Sequence, residues 1–243
     1  MAFYGCTSLQ SVDIPDSVAK IEEWAFGGCT SLQSVDIPDS VTKIGSYAFE
    51  DCTSLQSVDI PDSVTEIEDG AFEGCTSLPK ISVSRKNSCF VSVDGVLYDI
   101  DKKLLIRYPA GRNETACVIP ASVTEIGWRV FYGCTSLQSV DIPDSVTVIG
   151  WSAFEGCSSL QSVVLPDSVT VIGRAAFRGC SSLQSVDIAD SVTKIMPCAF
   201  LGCTSLQSVD IPASVTEIGG GCIRWLYVYK KSLCQERTLV LFL

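Results

Sequence analysis

Apolar and polar residues alternate along this chain in a pattern that returns every 23 positions. Within residues 32–52, the apolar residues Leu32, Val35 and Ile37 are separated by polar side chains, and a Pro-Asp-Ser turn at residues 38–40 follows them. Such alternation is typical of a strand with one buried face, and the proline-containing sequence after it predicts a turn. Each unit therefore begins with a short β-strand.

The second half of each unit carries another apolar group. Its members in the same unit are Val41, Ile44, Ala48, Phe49 and Cys52. Gly45 opens a turn, and the residues after it lie either on a turn or on a single helical turn. One position is phenylalanine in eight units: Phe3, Phe26, Phe49, Phe72, Phe131, Phe154, Phe177 and Phe200. At the strand spacing of about 4.8 Å, these rings would form an aromatic spine.

Cysteine marks the repeat most regularly, because it returns once in every period along two runs. The runs are Cys6, Cys29, Cys52 and Cys75, followed by Cys134, Cys157, Cys180 and Cys203. A unit of this length cannot bury a core alone, so successive units have to stack on one another. The sequence therefore predicts one solenoid domain over residues 1–221. The cysteines of this column are expected to be free thiols packed in its core.

The repeat is interrupted once and fails at its end. The interval from Cys75 to Cys134 is longer than two periods by 13 positions. Residues 79–117 are therefore expected to form enlarged repeats, with a β-hairpin at the Asp94-Gly95 sequence and a further strand over residues 104–108. Residues 222–243 follow no repeat rule and are interpreted as an atypical C-terminal cap or a truncated tail.

The unit resembles a known family of repeats. Its consensus, Leu-x-x-Val-x-Ile-Pro-x-Ser-Val-x-x-Ile-Gly-x-x-Ala-Phe-x-Gly-Cys, is similar to the BspA-like leucine-rich repeat, and residues 94–98, Asp-Gly-Val-Leu-Tyr, resemble the hairpin that interrupts such arrays. The resemblance covers about residues 1–221. It implies a leucine-rich-repeat solenoid, β-rich with short helical or 3-10 turns, right-handed, and curved or elongated. It also implies a surface or secreted protein of host-associated bacteria or protists that adheres to host proteins or to other cells.

Composition narrows the function further. The net charge of −11 disfavours nucleic acids and anionic membranes and favours basic or calcium-bridged partners. The chain has no histidine, which removes the commonest general base and the usual Ser-His and Cys-His nucleophile pairs. It also has no Cys-x-x-Cys pair for zinc, and no spacing pairs the cysteines outside the column. The sequence therefore predicts no enzyme activity, no cofactor and no metal centre.

A column of aspartates is expected on the outward face of the first strand. Its members are Asp13, Asp36, Asp59, Asp141, Asp187 and Asp210, and Val164 interrupts it. Neighbouring carboxylates about 4.8 Å apart would repel by roughly 1 kcal/mol in water. Two interpretations remain open: a solvated strand face, or an acidic face that binds calcium or a basic peptide.

Basic residues are concentrated in the enlarged repeats of this acidic chain. Six of the 17 basic residues lie within 28 positions: Arg85, Lys86, Lys102, Lys103, Arg107 and Arg112. This segment is either a docking patch for an anionic partner or the solvated edge of a protruding hairpin.

Aromatic residues interrupt a variable column three positions before the phenylalanine spine. Trp128, Trp151 and Arg174 occupy this column in consecutive units, and Tyr132 is expected nearby. Exposed tryptophan and arginine side chains are common in binding hot spots, and arginine can stack on an indole. The alternative is that the indoles lie flat across their own turns and shield the backbone.

Two classes of function follow. The first is a non-catalytic adhesion or protein-interaction module whose ligand is a protein, such as a host surface or extracellular matrix protein. The second is a passive spacer in a larger surface protein; a calcium-binding face, or a carbohydrate- or ice-binding face on the repeated threonines, is a weaker option. We expect no membrane insertion, and a cell-surface or secreted location by resemblance. The chain starts within a unit without a leader, so we expect it to be a fragment.

Overall fold

The structure is a computed structural model that describes residues 1–221 and the backbone of residues 227–230 and 238–240. The chain divides into two compact units, Met1–Asn113 and Glu114–Leu243, called unit 1 and unit 2 below. Each unit is a β-solenoid in which equivalent strands recur with the period of the sequence repeat. The predicted fold class is thus confirmed, whereas the prediction of one array over residues 1–221 stays a prediction.

Unit 1 is built from short strands. They are β1 (Ser11–Asp13), β2 (Lys20–Ile21), β3 (Ser34–Asp36), β4 (Lys43–Ile44), β5 (Ser57–Ile60), β6 (Glu66–Ile67), β7 (Ser82–Val83), β8 (Phe90–Val93), β9 (Val96–Asp99) and β10 (Leu104–Arg107). The first strands of successive turns pair in the parallel order β1-β3-β5-β7, and the second strands pair as β2-β4-β6. The register shows the repeat directly, because Ser11 pairs with Ser34 and Ile21 pairs with Ile44.

Unit 2 repeats this arrangement. Its strands are β11 (Ala116–Val118), β12 (Glu125–Ile126), β13 (Ser139–Asp141), β14 (Val148–Ile149), β15 (Ser162–Val164), β16 (Val171–Ile172), β17 (Ser185–Asp187), β18 (Lys194–Ile195), β19 (Ser208–Ile211), β20 (Glu217–Ile218), β21 (Tyr227–Lys230) and β22 (Thr238–Val240). The first strands form the parallel sheet β11-β13-β15-β17, and β12, β14, β16, β18 and β20 form a second parallel sheet. The backbone of β19 pairs with β21, which pairs antiparallel with β22. Apart from these two strands, the predicted cap or tail at residues 222–243 lies outside the described residues.

The enlarged repeats contain the expected hairpin. Strands β8 and β9 pair antiparallel around Asp94 and Gly95, which have φ of +49° and +83°. Two central residues with positive φ give the turn geometry that matches the right-handed twist of strands, which explains the Asp-Gly sequence. Strand β10, expected near residues 104–108, then pairs antiparallel with β9.

The second half of each 23-residue repeat is formed by linked turns rather than by a helical turn. In one such repeat, the amides of Ala25, Gly27 and Cys29 donate to the carbonyls of Glu22, Trp24 and Phe26, respectively. Residues 1–221 contain no helix. From Phe26 onward, the residue two positions before each spine phenylalanine has a positive φ: Trp24, Tyr47, Gly70, Arg129, Ser152, Ala175 and Cys198. This backbone conformation costs a non-glycine residue about 1–2 kcal/mol, which the stacked turns have to offset.

The phenylalanine spine forms inside each unit. Neighbouring rings stack nearly parallel, with centroids 5.3 Å apart for Phe26 and Phe49 and 4.8 Å apart for Phe131 and Phe154. The cysteine column packs beside it, and the Cys52 thiol donates to the Phe26 carbonyl at 3.2 Å. All members of the column are buried thiols in the core, as predicted, except Cys6, which is exposed.

Side-chain hydroxyls also hold neighbouring turns together. The serine of four Pro-Asp-Ser turns donates to a valine carbonyl of the preceding turn, as Ser63 does to Val41 at 2.6 Å. Four threonines of the exposed column, Thr42, Thr65, Thr193 and Thr216, also donate to a backbone carbonyl of the preceding turn, as Thr65 does to Thr42 at 3.3 Å. Because these threonine hydroxyls face the protein backbone, the structure lends no support to the threonine column as a ligand-binding array.

Candidate protein-interaction surfaces

The predicted Trp-Trp-Arg strip lies on consecutive turns of unit 2, but its members are not equally accessible. The side chain of Trp151 is 59% exposed, and Arg174 is also exposed. Trp128 and Tyr132 are half-buried. Trp151 is therefore the tryptophan of this strip that a partner could cover most fully.

Trp128 and Tyr132 pack around an arginine that the sequence analysis did not single out. The guanidinium carbon of Arg129 lies 4.9 Å from the Trp128 ring centre and 4.7 Å from the Tyr132 ring centre. Both distances are in the range of cation–π attraction. Arg129 occupies the column with positive φ, with a φ of +52°, and this conformation could not be anticipated from its residue type.

Two valines extend the exposed apolar surface beside Trp151. Val148 and Val171 pair in register on β14 and β16, where Val148 is 37% exposed and Val171 is half-buried. The same column is charged elsewhere: Lys20, Lys43, Glu66, Glu125, Lys194 and Glu217. Val148, Trp151, Val171 and Arg174 are called the Trp151 patch below. Sequence reasoning missed the valines because valine is a typical core residue. In a two-residue strand, the sequence does not distinguish an outward valine from a buried one.

The equivalent surface of unit 1 is held by ion pairs. Lys43 bonds to both Glu66 and Glu68, and the Glu66 contact is 3.2 Å long. Glu68 also accepts hydrogen bonds from the amide and hydroxyl of Ser46 at 2.8 and 2.9 Å. The bond from Lys43, followed by those from Ser46, lowers the pKa of Glu68 to about 2, and the glutamates raise the pKa of Lys43. Unit 1 therefore presents charge at the positions where two consecutive turns of unit 2 present Val148 and Val171.

The first strands of unit 2 carry a second unusual surface. Val118 and Val164 interrupt its aspartate column and are 73% and 64% exposed. They pair in register with Asp141 and Asp187. A groove of about 360 Å³ runs along this face, and Val164, Asp187 and Asp210 contribute to its lining. In unit 1 the column is aspartate over three successive turns, since Asp13 pairs with Asp36 and Asp59 follows, and Ser82 takes the position in the fourth turn.

The aspartate column does not converge on a metal position. Within residues 1–221, no three histidine, cysteine, aspartate or glutamate side chains come together as metal ligands. The carboxylates are exposed and distributed along the strands, one from each turn. The arrangement suits contact with an elongated charged partner better than coordination of a single ion.

The basic residues of the enlarged repeats separate into two groups. Arg85, Lys86, Lys102 and Lys103 are exposed in two turns at one end of the β8–β9 hairpin, where the Ile100 amide donates to the Cys89 carbonyl. Arg107 is only 6% exposed, so the expectation that it lies on a docking patch or a solvated edge is wrong. It ends β10, where the alternation of that strand turns its side chain inward.

Arg112 supports the opposite end of the same hairpin. It donates to the Asp94 carbonyl, and its guanidinium carbon lies 5.1 Å from the Tyr108 ring centre. This side chain therefore helps to fix the hairpin turn. The exposed basic surface is reduced to the four side chains of the two turns.

The thiols of the cysteine column are chemically protected. Burial raises the pKa of Cys75 and of Cys203 to about 12, and it also raises the pKa of Cys52. Since the thiolate is the reactive form, these cysteines are core residues and not nucleophiles. Cys89, Cys117 and Cys198 are half-buried, and Cys222 and Cys234 lie outside the described residues.

The described residues include no helix with the length and hydropathy needed to cross a bilayer.

Comparison with known proteins places these surfaces in context. A family model described as a BspA type leucine rich repeat region matches residues 1–93 and 110–227 in six copies. A leucine rich cell surface protein from Faecalibacterium prausnitzii A2-165 is 36% identical with a TM-score of 0.83, over 92% of this chain and 62% of that protein. This chain thus spans less than two thirds of that relative. No curated protein matches the chain.

Two further solved structures share the fold alone. A leucine-rich repeat protein from Eubacterium ventriosum ATCC 27560 is 24% identical with a TM-score of 0.62, over 96% of this chain and 81% of that one. The pneumococcal vaccine antigen PcpA is 23% identical with a TM-score of 0.55, over 86% of this chain and 58% of that one.

Proposed function

Because the chain belongs to the family with the BspA-type leucine-rich repeat region, we propose that it is a non-catalytic module that binds another protein through the Trp151 patch. Repeat proteins of this kind present long surfaces on which single columns can change without loss of the stack. In unit 2 the changed columns bring apolar side chains to the surface. The fold supplies the rigid support, and the replaced residues supply the contact.

The exposure of Trp151 carries this proposal. An indole that is 59% exposed leaves apolar surface in water that a partner would bury. Val148 and Val171 enlarge this surface, and Arg174 contributes a charged group on the next turn. Tryptophan and arginine are the side chains most enriched among residues that dominate binding energy, typically with polar contacts around them. Glu125 and the Lys194–Glu217 ion pair, at 3.2 Å, provide such polar neighbours along the column.

We further propose that the partner is an extracellular protein, such as a host surface or matrix protein. The relative from Faecalibacterium prausnitzii is described as a cell surface protein, which supports display at the surface or secretion. A net charge of −11 would repel nucleic acids and favour a partner with a basic surface. A surface location and an exposed apolar patch together favour adhesion as the activity.

The experiment compares the wild-type chain with a double variant that borrows the residues of unit 1. Val148→Lys and Trp151→Ser introduce the side chains that Lys43 and Ser46 provide in the same columns, so the solenoid already tolerates them. Binding to a panel of purified extracellular matrix proteins and to cultured cells is measured by biolayer interferometry and adhesion assays. We expect the variant to bind about 30-fold more weakly than the wild type to the protein of the panel that the wild-type chain binds. This change corresponds to a loss of about 2 kcal/mol of binding free energy.

Two outcomes would reject the proposal. One is an intact double variant, checked by circular dichroism, that binds as tightly as the wild type. The other is a wild-type chain that binds no extracellular protein and no cell at micromolar concentration, which would favour the spacer. Glu23→Ser, at an exposed position of unit 1 in the same column as Trp151, serves as the matched control and should leave binding unchanged.

A further inference from the structure

The groove on the first strands of unit 2 is a separate surface from the Trp151 patch, because it lies on a different sheet. Its floor is formed by outward residues of successive strands: Ser162, Val164, Ser185, Asp187, Ser208 and Asp210. We call it the strand-face groove. Its volume of about 360 Å³ is in the range of sites that hold a short peptide segment or a small molecule.

Val164 departs from the repeat in an informative way. The side chains along its strand alternate as exposed, buried, exposed, so Val164 points outward and is 64% exposed. Six other repeats have aspartate at this position, so the solenoid does not need valine there. An exposed aliphatic side chain among carboxylates offers an apolar contact without any evident role in packing.

The charge of the groove defines the chemistry of its occupant. Asp187, Asp190 and Asp210 line it, and no lysine or arginine is among the described residues that do so. Asp187 and Asp210 lie on neighbouring turns, about 4.8 Å apart, where two carboxylates repel each other. A cationic partner would relieve this repulsion, and the net charge of −11 would attract it from a distance.

We propose that the strand-face groove binds an extended segment of a partner protein in which one aliphatic side chain lies between two lysine or arginine side chains. The aliphatic side chain packs on Val164, and one cation contacts Asp187 or Asp210 in the groove. The other cation contacts Asp141, which lies beyond the groove lining on β13, the strand that pairs with β15. The column from Asp141 to Asp210 covers three turns, or about 14 Å. Five extended residues span about 13 Å from first to last, so side chains at positions one, three and five match this length.

The test uses two fluorescent peptides and the whole chain. The first peptide contains Lys-Ser-Leu-Ser-Lys, and the second contains Lys-Ser-Ser-Ser-Lys, which keeps the charges and removes the aliphatic group. Affinities are measured by fluorescence anisotropy and by amide chemical shifts at low salt. The wild-type chain should prefer the leucine peptide by about fivefold, a preference expected when one aliphatic contact is gained.

The decisive variant is Val164→Asp, which introduces the aspartate that six other repeats have at this position and therefore should fold. It should lose the preference for the leucine peptide while binding the serine peptide at least as tightly, because it adds a carboxylate. Equal wild-type affinities for the two peptides, no binding of either, or a preference that survives in Val164→Asp would each overturn the proposal.

A further comparison separates this proposal from the proposed function. The Val148→Lys and Trp151→Ser double variant should retain the peptide preference, since the groove is unchanged. Conversely, Val164→Asp should leave binding at the Trp151 patch unchanged. If the double variant lost the peptide preference, the peptide would be bound at the patch and the groove proposal would be wrong.

Discussion

Asn87 is expected to be the most important single polar residue for the stability of the enlarged repeats. It occupies the column that Val41 and Val64 fill in preceding turns, and it is 5% exposed. Its side-chain nitrogen donates to the carbonyls of Pro61 and Val64 at 2.8 and 2.9 Å. Its oxygen accepts from the amides of residues 89 and 90 at 2.9 and 2.8 Å. One side chain thus joins the turn before β8 to the preceding turn of the solenoid.

The cost of removing it can be worked out from these bonds. Asn87→Ala deletes four hydrogen bonds and leaves four backbone groups without their side-chain partner. At about 1 kcal/mol for each bond, the loss is about 4 kcal/mol. Ser63→Ala removes a single bond, the one to the Val41 carbonyl, and should cost about 1 kcal/mol. The two variants should therefore differ by about 3 kcal/mol.

Urea unfolding followed by circular dichroism, together with amide exchange of the β8–β9 hairpin, measures this difference. Asn87→Asp provides a check that is independent of volume. It has nearly the same shape, but it turns a donor into an acceptor that faces the two carbonyls, so it should be at least as damaging. The reasoning fails if Asn87→Ala costs no more than Ser63→Ala, or if Asn87→Asp is neutral at pH 7.

Three further predictions concern the core and the ion pairs. Phe154→Ala should cost about 3–5 kcal/mol in urea unfolding because the ring is fully buried, whereas Phe3→Ala should cost less than half as much, since Phe3 is 42% exposed; equal costs would contradict the spine. Iodoacetamide at pH 8 should label Cys6 quickly and Cys75 only on unfolding, because burial raises the pKa of Cys75 to about 12, and mass spectrometry would reveal the opposite order. The pKa of Glu68 is lowered to about 2 by its bonds, so its stabilising effect is present above about pH 4.5 and is lost as pH falls towards 2. Glu68→Gln should therefore lower stability at pH 7 and have a much smaller effect at pH 2, and a pH-independent difference in urea unfolding would refute this.

The repeat made most of the fold predictable. Stacking turns of equal length leaves little freedom in the position of Phe154 or of the cysteines, because each must lie above its equivalent in the previous turn. The Asp94-Gly95 hairpin could also be predicted from the sequence, since both residues adopt positive φ readily. The linked turns could not be predicted, because the short segment after the glycine, with its apolar residues, fits a helical turn equally well.

The surfaces were harder to predict, for reasons that particular residues make clear. Trp128 and Trp151 are equivalent in sequence, yet Arg129 packs against Trp128, whereas Trp151 is largely exposed. Arg107 belongs to a basic run by sequence, but the alternation of β10 places it inside. Side-chain exposure depends on the neighbouring turn, and a pattern read along one chain does not contain that neighbour.

The measurement that tests the central claim most directly is oxidative footprinting of tryptophan in the wild-type chain, with and without the extracellular matrix protein that it captures. Trp24 is an internal control, because it is half-buried in unit 1 and stacks on Tyr47 with ring centres 4.4 Å apart. Binding through the Trp151 patch predicts that oxidation of Trp151 falls sharply in the complex while oxidation of Trp24 stays the same. Protection of Trp24 with Trp151 still fully reactive would contradict it.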